Sequence, residues 1–100
     1  MYARVVTVQV QPGKMDEVWR RIREAIPIVQ ALRGFREARF LTDVHTDTVL
    51  GVTLWETEAD AKAAPVAGAE GGRLRDLLTK PAVVAYYELS MGFARETDSF

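Results

Sequence analysis

Apolar and polar residues change their spacing repeatedly along this chain, and each change marks an element. From Thr48 to Trp55 the residues Leu50, Val52 and Leu54 alternate with Val49, Gly51, Thr53 and Trp55, so neither face of the segment carries a charge. That pattern predicts a central strand covered on both sides. A helix opens directly after it. Thr57, followed three residues later by Asp60, forms a capping box, and Glu58 and Asp60 lie at the positive end of the helix dipole.

The remaining elements follow from the same spacings. Tyr2 to Gln11 sets Arg4, Val6, Val8 and Val10 against Ala3, Val5, Thr7 and Gln9, a strand rich in β-branched residues. Pro12-Gly13-Lys14 is a turn. From Met15 to Leu32 the apolar residues Met15, Val18, Trp19, Ile22, Ala25, Ile26, Val29 and Leu32 make one helical stripe, with Arg20, Arg21, Arg23 and Glu24 on the wet side. Pro27 interrupts that stripe without changing its period, which predicts a kink and not a stop. Arg33 and Gly34 form the last turn and a left-handed cap. Phe35 to Thr42 is a shorter, more polar strand suited to a sheet edge, and residues 43–47 are a hairpin loop. Beyond Thr57, Pro65, Gly68, Gly71 and Gly72 break what would be one long helix. The expectation is a short helix from about Glu58 to Ala64 and a second helical piece near Gly72 to Leu78, with Leu74, Leu77 and Leu78 inward. Ala82 to Ser90 is the last strand, and Met91 to Phe100 has neither period, leaving a domain over 1–90 and a tail over 91–100.

The order β-α-β-β-α-β predicts an α+β, ferredoxin-like fold: strand three lies antiparallel between strands one and two, strand four pairs with the free side of strand one, and both helices share one face. Strands one, three and four are apolar on both sides, yet one helix layer covers only one. A second copy of the sheet is the simplest cover, which predicts a homodimer packed face to face or closed into a barrel.

Composition narrows the functional classes. The 100 residues are 48% apolar with a formal charge of −1, which fits one globular domain and lacks the basic excess of a nucleic-acid binder. The chain has no cysteine, so disulfides, thiolate ligands and a cysteine nucleophile are excluded. No apolar run reaches the roughly 20 residues of a membrane span and the first residues enter a strand, so no membrane association and a cytoplasmic location are expected.

Reactive chemistry is sparse. His45, the sole histidine, sits between Asp43 and Asp47 in the hairpin loop. Alternate residues on a strand would share a side and could hold a metal, but a hairpin tip is ordinarily a solvated turn, and no metal is expected. No serine–histidine arrangement suggests nucleophilic catalysis, and Gly68, Gly71 and Gly72 do not follow a strand as a phosphate loop does. No general base is evident: a tyrosine titrates near pH ~10 and His45 lies on the loop.

Two segments resemble one family. Leu32-Arg33-Gly34-Phe35 is similar to the Pro-Gly-Phe joint after the first helix of the antibiotic biosynthesis monooxygenases, and Val52-Thr53-Leu54-Trp55-Glu56-Thr57-Glu58-Ala59 resembles their third strand with its Trp, acidic residue and capped helix. With the element order, the likeness spans residues 2–90. It implies a homodimeric α/β barrel, with a small-molecule ligand or substrate in a cavity between sheet and helices. Some members oxygenate polycyclic phenols with O₂ and no metal or flavin, so no cofactor is expected. Such chemistry needs a substrate anion able to pass one electron to O₂, in a pocket that stabilises the anion and excludes water. Other members degrade haem with a strand-one Asn, a Trp in the second helix and a following His. This chain has none of these, which argues against that ligand set.

The resemblance places the substrate among Trp55 as a flat wall, Trp19 across from it, Tyr86 or Tyr87 as a hydrogen-bond donor, and Arg4 and Arg39 as attractors of an anion. Each has a plainer reading: Trp19 belongs to the apolar stripe, Trp55 can be packing at a strand end, and both arginines can be solvated edge charges or dimer contacts. Adjacent tyrosines face opposite sides of a strand, so only one can line a given cavity. The leading function is a cofactor-independent monooxygenase acting on a small aromatic or polyketide-like substrate; the alternatives are a non-catalytic or regulatory ligand-binding domain and an isomerase or cyclase.

Overall fold

The computed structural model describes residues 1–63 and 73–95. Strand β1 (Tyr2–Gln9) leads to helix α1 (Met15–Gln30), strands β2 (Phe35–Asp43) and β3 (Thr48–Trp55), helix α2 (Glu58–Ala63), a single 3-10 turn at Arg75–Leu77, and strand β4 (Val83–Glu88). The sheet order is β2-β3-β1-β4 with antiparallel pairing throughout. This is the ferredoxin-like α+β arrangement that the alternation and element order require.

Local chemistry accounts for the joints. The Thr57 hydroxyl accepts from the Asp60 N–H at 3.0 Å, making the cap at the start of α2. The Asp60 carboxylate does not close the box: it turns towards Arg33, 3.7 Å away, and fills the place where a Cβ on Gly34 would stand. Gly34, with φ +78°, is therefore held by both its backbone conformation and its neighbour. Helix α1 continues through Pro27 but ends at Gln30, two residues before the apolar stripe does.

The helical piece expected from about Gly72 to Leu78 is only the 3-10 turn, because its backbone is committed elsewhere. Gln11 N–H donates to Leu77 O at 2.9 Å, Thr79 N–H donates to Gln9 O at 2.9 Å, and Val10 bridges Leu78, so this stretch continues the sheet beside β1. Leu74, Leu77 and Leu78 still point inward. The breaks expected at Pro65, Gly68, Gly71 and Gly72 lie outside the described residues.

The core sits under the first half of α1. Val8, Val10, Val18, Val49, Leu74, Leu77 and Leu78 are buried together, with Met15, Trp19 and Ile22 packed against them. A charged brace on the helix surface holds the 3-10 turn: the Arg21 guanidinium donates to Asp76 at 2.6 and 3.0 Å and to Arg73 O at 2.8 Å. Hydrogen bonds from Arg20 and then Arg21 lower the Glu17 carboxyl to a pKa of about 2, and the Arg21 bond lowers that of Asp76. Such pairs are solvent-screened and add modestly to stability.

Register sorts the faces. Arg4, Val6 and Val8 of β1 lie with Val49, Gly51, Thr53 and Trp55 of β3 on the helix side; Ala3, Val5 and Thr7 lie with Leu50, Val52 and Leu54 on the outer side. Arg39 and Leu41 of β2 and Val83, Ala85 and Tyr87 of β4 join the outer row. Leu41, Val83 and Tyr87 are exposed there. No described helix is long and apolar enough to cross a membrane.

Candidate functional site

Past Ile22 the apolar stripe of α1 no longer belongs to the buried core cluster. A cavity of about 540 Å³ opens between the second half of α1 and the helix face of β1, β2 and β3. Ile22, Ala25, Ile26, Val29 and Leu32 form its roof, Val6, Val8, Val49 and Gly51 its floor, and Phe35, Phe40 and Trp55 its aromatic sides. That volume is in the range of sites for drug-sized molecules. The stripe read from the sequence as a packing face is thus shared, its first half contacting the core and its second half lining the cavity.

The polar residues are few. Arg4, Thr53, Gln30, Arg36 and Glu37 reach the lining. Arg4 is only 4% exposed; its Nη1 donates to Ala61 O at 3.4 Å and its guanidinium lies 5.8 Å from the centre of the Tyr86 ring. Lys62 Nζ lies 5.7 Å from the same ring centre. The Trp55 indole N–H donates to Thr53 Oγ1 at 2.9 Å, so this donor holds the ring in place and is not directed at the cavity. Its ring meets Phe35 edge-on at 5.5 Å.

The structure brings two of the residues picked out by sequence together in the lining, Trp55 and Arg4. Tyr86 faces the helix side but stands behind Arg4, outside the lining, and Tyr87 is on the outer face. Trp19 is separated from the cavity by Phe40, on which it sits edge-on at 5.9 Å. Arg39 pairs in register with Val52 on the outer face and lies 3.4 Å from Glu37. The solvated reading of Arg4 is corrected by its burial: α2 and β4 close over it, contacts that sequence spacing does not reveal. Phe35 and Phe40, unremarked in a strand that reads as polar, supply two of the aromatic sides.

Gly51 was legible only as a member of the central strand, yet it sets the depth of the cavity. A Cβ there would lie 3.1 Å from Phe40 Cε1. Gly51→Ala requires the Phe40 ring to give by a few tenths of an ångström. Gly51→Val overpacks the floor and is expected to cost about 1–3 kcal/mol in chemical denaturation and to weaken binding of bulky aromatic ligands. Unchanged stability and affinity in that variant would show that the floor lies elsewhere.

Among the described residues no three His, Cys, Asp or Glu side chains converge as a metal site. In the hairpin loop the Asp43 carboxylate accepts from the His45 N–H at 3.0 Å, and Asp47 takes a φ of 54°.

The chain is thus an α+β domain of the ferredoxin-like class with an apolar, aromatic-sided cavity beneath its first helix. The sequence profile of the family described as antibiotic biosynthesis monooxygenase matches residues 1–64, and the chain belongs to that family. No functionally curated protein matches it. Among solved structures it is similar to the NE2512 protein of Nitrosomonas europaea, of unknown function, at 21% identity and TM-score 0.74 over 93% of this chain and 92% of that one. A monooxygenase from the ActVA-Orf6 gene of Streptomyces coelicolor, solved with nanaomycin D, matches at 17% identity and TM-score 0.70, covering 95% and 92% of the two chains. A MhuD variant solved with two manganese protoporphyrin IX molecules per active site matches at 20% identity and TM-score 0.72 over 94% and 99%. The TM-scores establish a shared fold, and at these identities the fold alone.

Proposed function

We propose that this protein is a cofactor-independent monooxygenase acting, as a homodimer, on a small aromatic or polyketide-like substrate held under α1. The cavity carries the reading: its walls are apolar, three of its sides are aromatic, and a buried arginine reaches its lining. Trp55 serves as the flat wall, and the Arg4 charge favours a substrate that binds as an anion. Tyr86 and Trp19 act from behind, positioning Arg4 and Phe40. Arg39 belongs to the outer face and the contact between subunits. The apolar outer rows are the reason for a second copy, since monomers seldom leave so extended an apolar surface wet. The domain extends over 1–90, and a cytoplasmic setting suits the cysteine-free composition.

The nanaomycin D complex of the Streptomyces coelicolor relative supports a polycyclic ligand. A second reading, ligand binding without turnover, draws on one feature: Glu37 is the sole acidic residue of the described lining, and its carboxylate is turned to Arg39 on the outer face. Oxygen consumption separates the two. With a panel of anthrone-type phenols, a monooxygenase consumes O₂ as product forms, with no added flavin and in the presence of a metal chelator. Binding of the same phenols with no O₂ uptake by any of them would leave only the second reading.

A further inference from the structure

The exposed residues of the cavity lining all lie along one side of it. Ile26 and Gln30 of α1 and Arg36, Glu37 and Phe40 of β2 are exposed, whereas the lining residues of β1 and β3 are buried or half-buried. Because β2 is an edge strand, the cavity opens to water between it and the second half of α1. Among the described lining residues two carry a positive charge, Arg4 inside on β1 and Arg36 at this mouth. Strand β3 lies between their strands, so two strand spacings, about 10 Å, separate their backbones across the sheet.

Arg36 owes its position to a bulge. Phe35 pairs with Trp55 and Glu37 with Leu54, the adjacent residue of β3, so Arg36 is an extra residue inserted into the ladder. Such an insertion re-aims a side chain out of the strand's alternation. The Arg36 guanidinium reaches the mouth and there donates to Glu56 at 2.6 Å, a residue outside the lining. Both partners are half-exposed, and an ion pair in that setting is held weakly. The nearest acidic residue in sequence, Glu37, does not compete for Arg36, because its carboxylate is turned to Arg39 on the outer face.

We propose that Arg36 is a specificity-determining residue that selects aromatic acids, exchanging its bond to Glu56 for one to a carboxylate at the outer end of the ligand. The inference rests on the reading of this cavity as the ligand site and narrows the ligand. Its rings lie between α1 and the Gly51 floor, an oxygen substituent faces Arg4, and a carboxylate about 10 Å away emerges at the β2 edge. The planar fork of a guanidinium matches a carboxylate and loses that match with an ester. A carboxylate at the mouth also keeps part of its hydration, so it escapes most of the desolvation cost that a charge placed under the helix would meet. Glu56 holds the fork in place until such a group arrives.

The test uses the full-length protein and two probes, 1,8-dihydroxyanthraquinone-3-carboxylic acid and its methyl ester, titrated by quenching of tryptophan fluorescence. The phenolic oxygens and the carboxyl group of these probes stand towards opposite ends of one flat ring system. The wild-type protein is expected to bind the acid about 5- to 10-fold more tightly than the ester. Arg36→Gln should bring the acid down to the affinity of the ester, and Glu56→Gln, which removes the internal competitor, should widen the preference. Arg33→Gln, which removes a nearby cation outside the lining, should leave the preference as it is in the wild type. Equal binding of acid and ester by the wild type, a preference that survives Arg36→Gln, or one that Glu56→Gln leaves unmoved or lowers overturns the role of Arg36 and leaves the cavity as the ligand site. A preference lost equally in Arg33→Gln overturns it too, since general surface charge would then be the cause. Failure of both probes to bind any of the chains overturns the reading of the cavity and this inference with it.

Discussion

Val52→Asp is expected to turn the face-to-face dimer proposed above into a folded monomer. Val52 is central in the outer face, opposite Val5 on one side and Arg39 on the other. In a single subunit the new carboxylate is within reach of water and lies across the ladder from an arginine, where opposite charges are tolerated or mildly favourable. In the proposed dimer it would be buried, and two-fold symmetry would bring two such groups into the same contact. The cost of an uncompensated buried charge is about 3–5 kcal/mol, which corresponds to roughly a 100- to 10,000-fold loss of dimer affinity. Sedimentation at micromolar concentration should therefore shift from about twice the 11.2 kDa chain mass to the chain mass itself, with the far-ultraviolet spectrum retained. A variant that remains dimeric at the wild-type affinity would mean that the subunits meet through another surface. Loss of the spectrum together with the dimer would mean that the outer face is needed to fold the subunit as well.

That this face exists at all was visible in the sequence, and the reason is local. Alternation in β1 and β3 carries the face assignment of every residue once the register is set, and Thr57, Gly34 and Pro12-Gly13 mark their joints through chemistry confined to a few neighbouring residues. Residues far apart in sequence decided the rest. Arg4 shares a row with Val6 and Val8, but what buries it is Ala61 and Tyr86, supplied by α2 and β4. The register irregularity between Phe35 and Glu37 sets the faces of β2, bringing Phe40 to the helix side and Arg39 to the outer side. A charge read alone on an edge strand gives no hint of either outcome.

The cavity illustrates the same division at the level of a whole element. A helical stripe states that a face is apolar and says nothing about how closely the sheet approaches it. Here Val18 enters the core fully, whereas Ala25, Ile26 and Val29 leave space between themselves and Gly51. The side chains opposite explain the difference. At the core end β1 and β3 present valines and the leucines after α2 fill in behind them; at the other end β3 offers a glycine and then a threonine already engaged with Trp55. Space arises where small or occupied residues face the helix, a property of the pairing and not of either segment alone.

Trp55 is where that space depends most on one side chain, and its removal is expected to have the largest effect on the subunit itself. The residue is 2% exposed, it closes one side of the cavity, and its indole packs on Phe35 while donating to Thr53. Trp55→Ala removes the ring, leaves the Thr53 hydroxyl without its donor, and enlarges the existing cavity in place of creating a separate one. Truncations of this kind cost about 3–5 kcal/mol, a large share of the roughly 5–15 kcal/mol that holds a domain together. At about 4–8 °C per kcal/mol for a chain of this size, melting should fall by at least ~12 °C. Trp55→Phe keeps a flat wall and loses only the indole hydrogen bond and part of the ring, so its cost should lie near 1–2 kcal/mol. Aromatic ligand binding, followed by the fluorescence of the remaining Trp19, should persist in the phenylalanine variant and vanish in the alanine variant under conditions where both are folded. Equal binding by the two would remove Trp55 from the ligand's surroundings. A melting temperature for Trp55→Ala within a few degrees of wild type would show that the wall between β3 and Phe35 is held by other contacts.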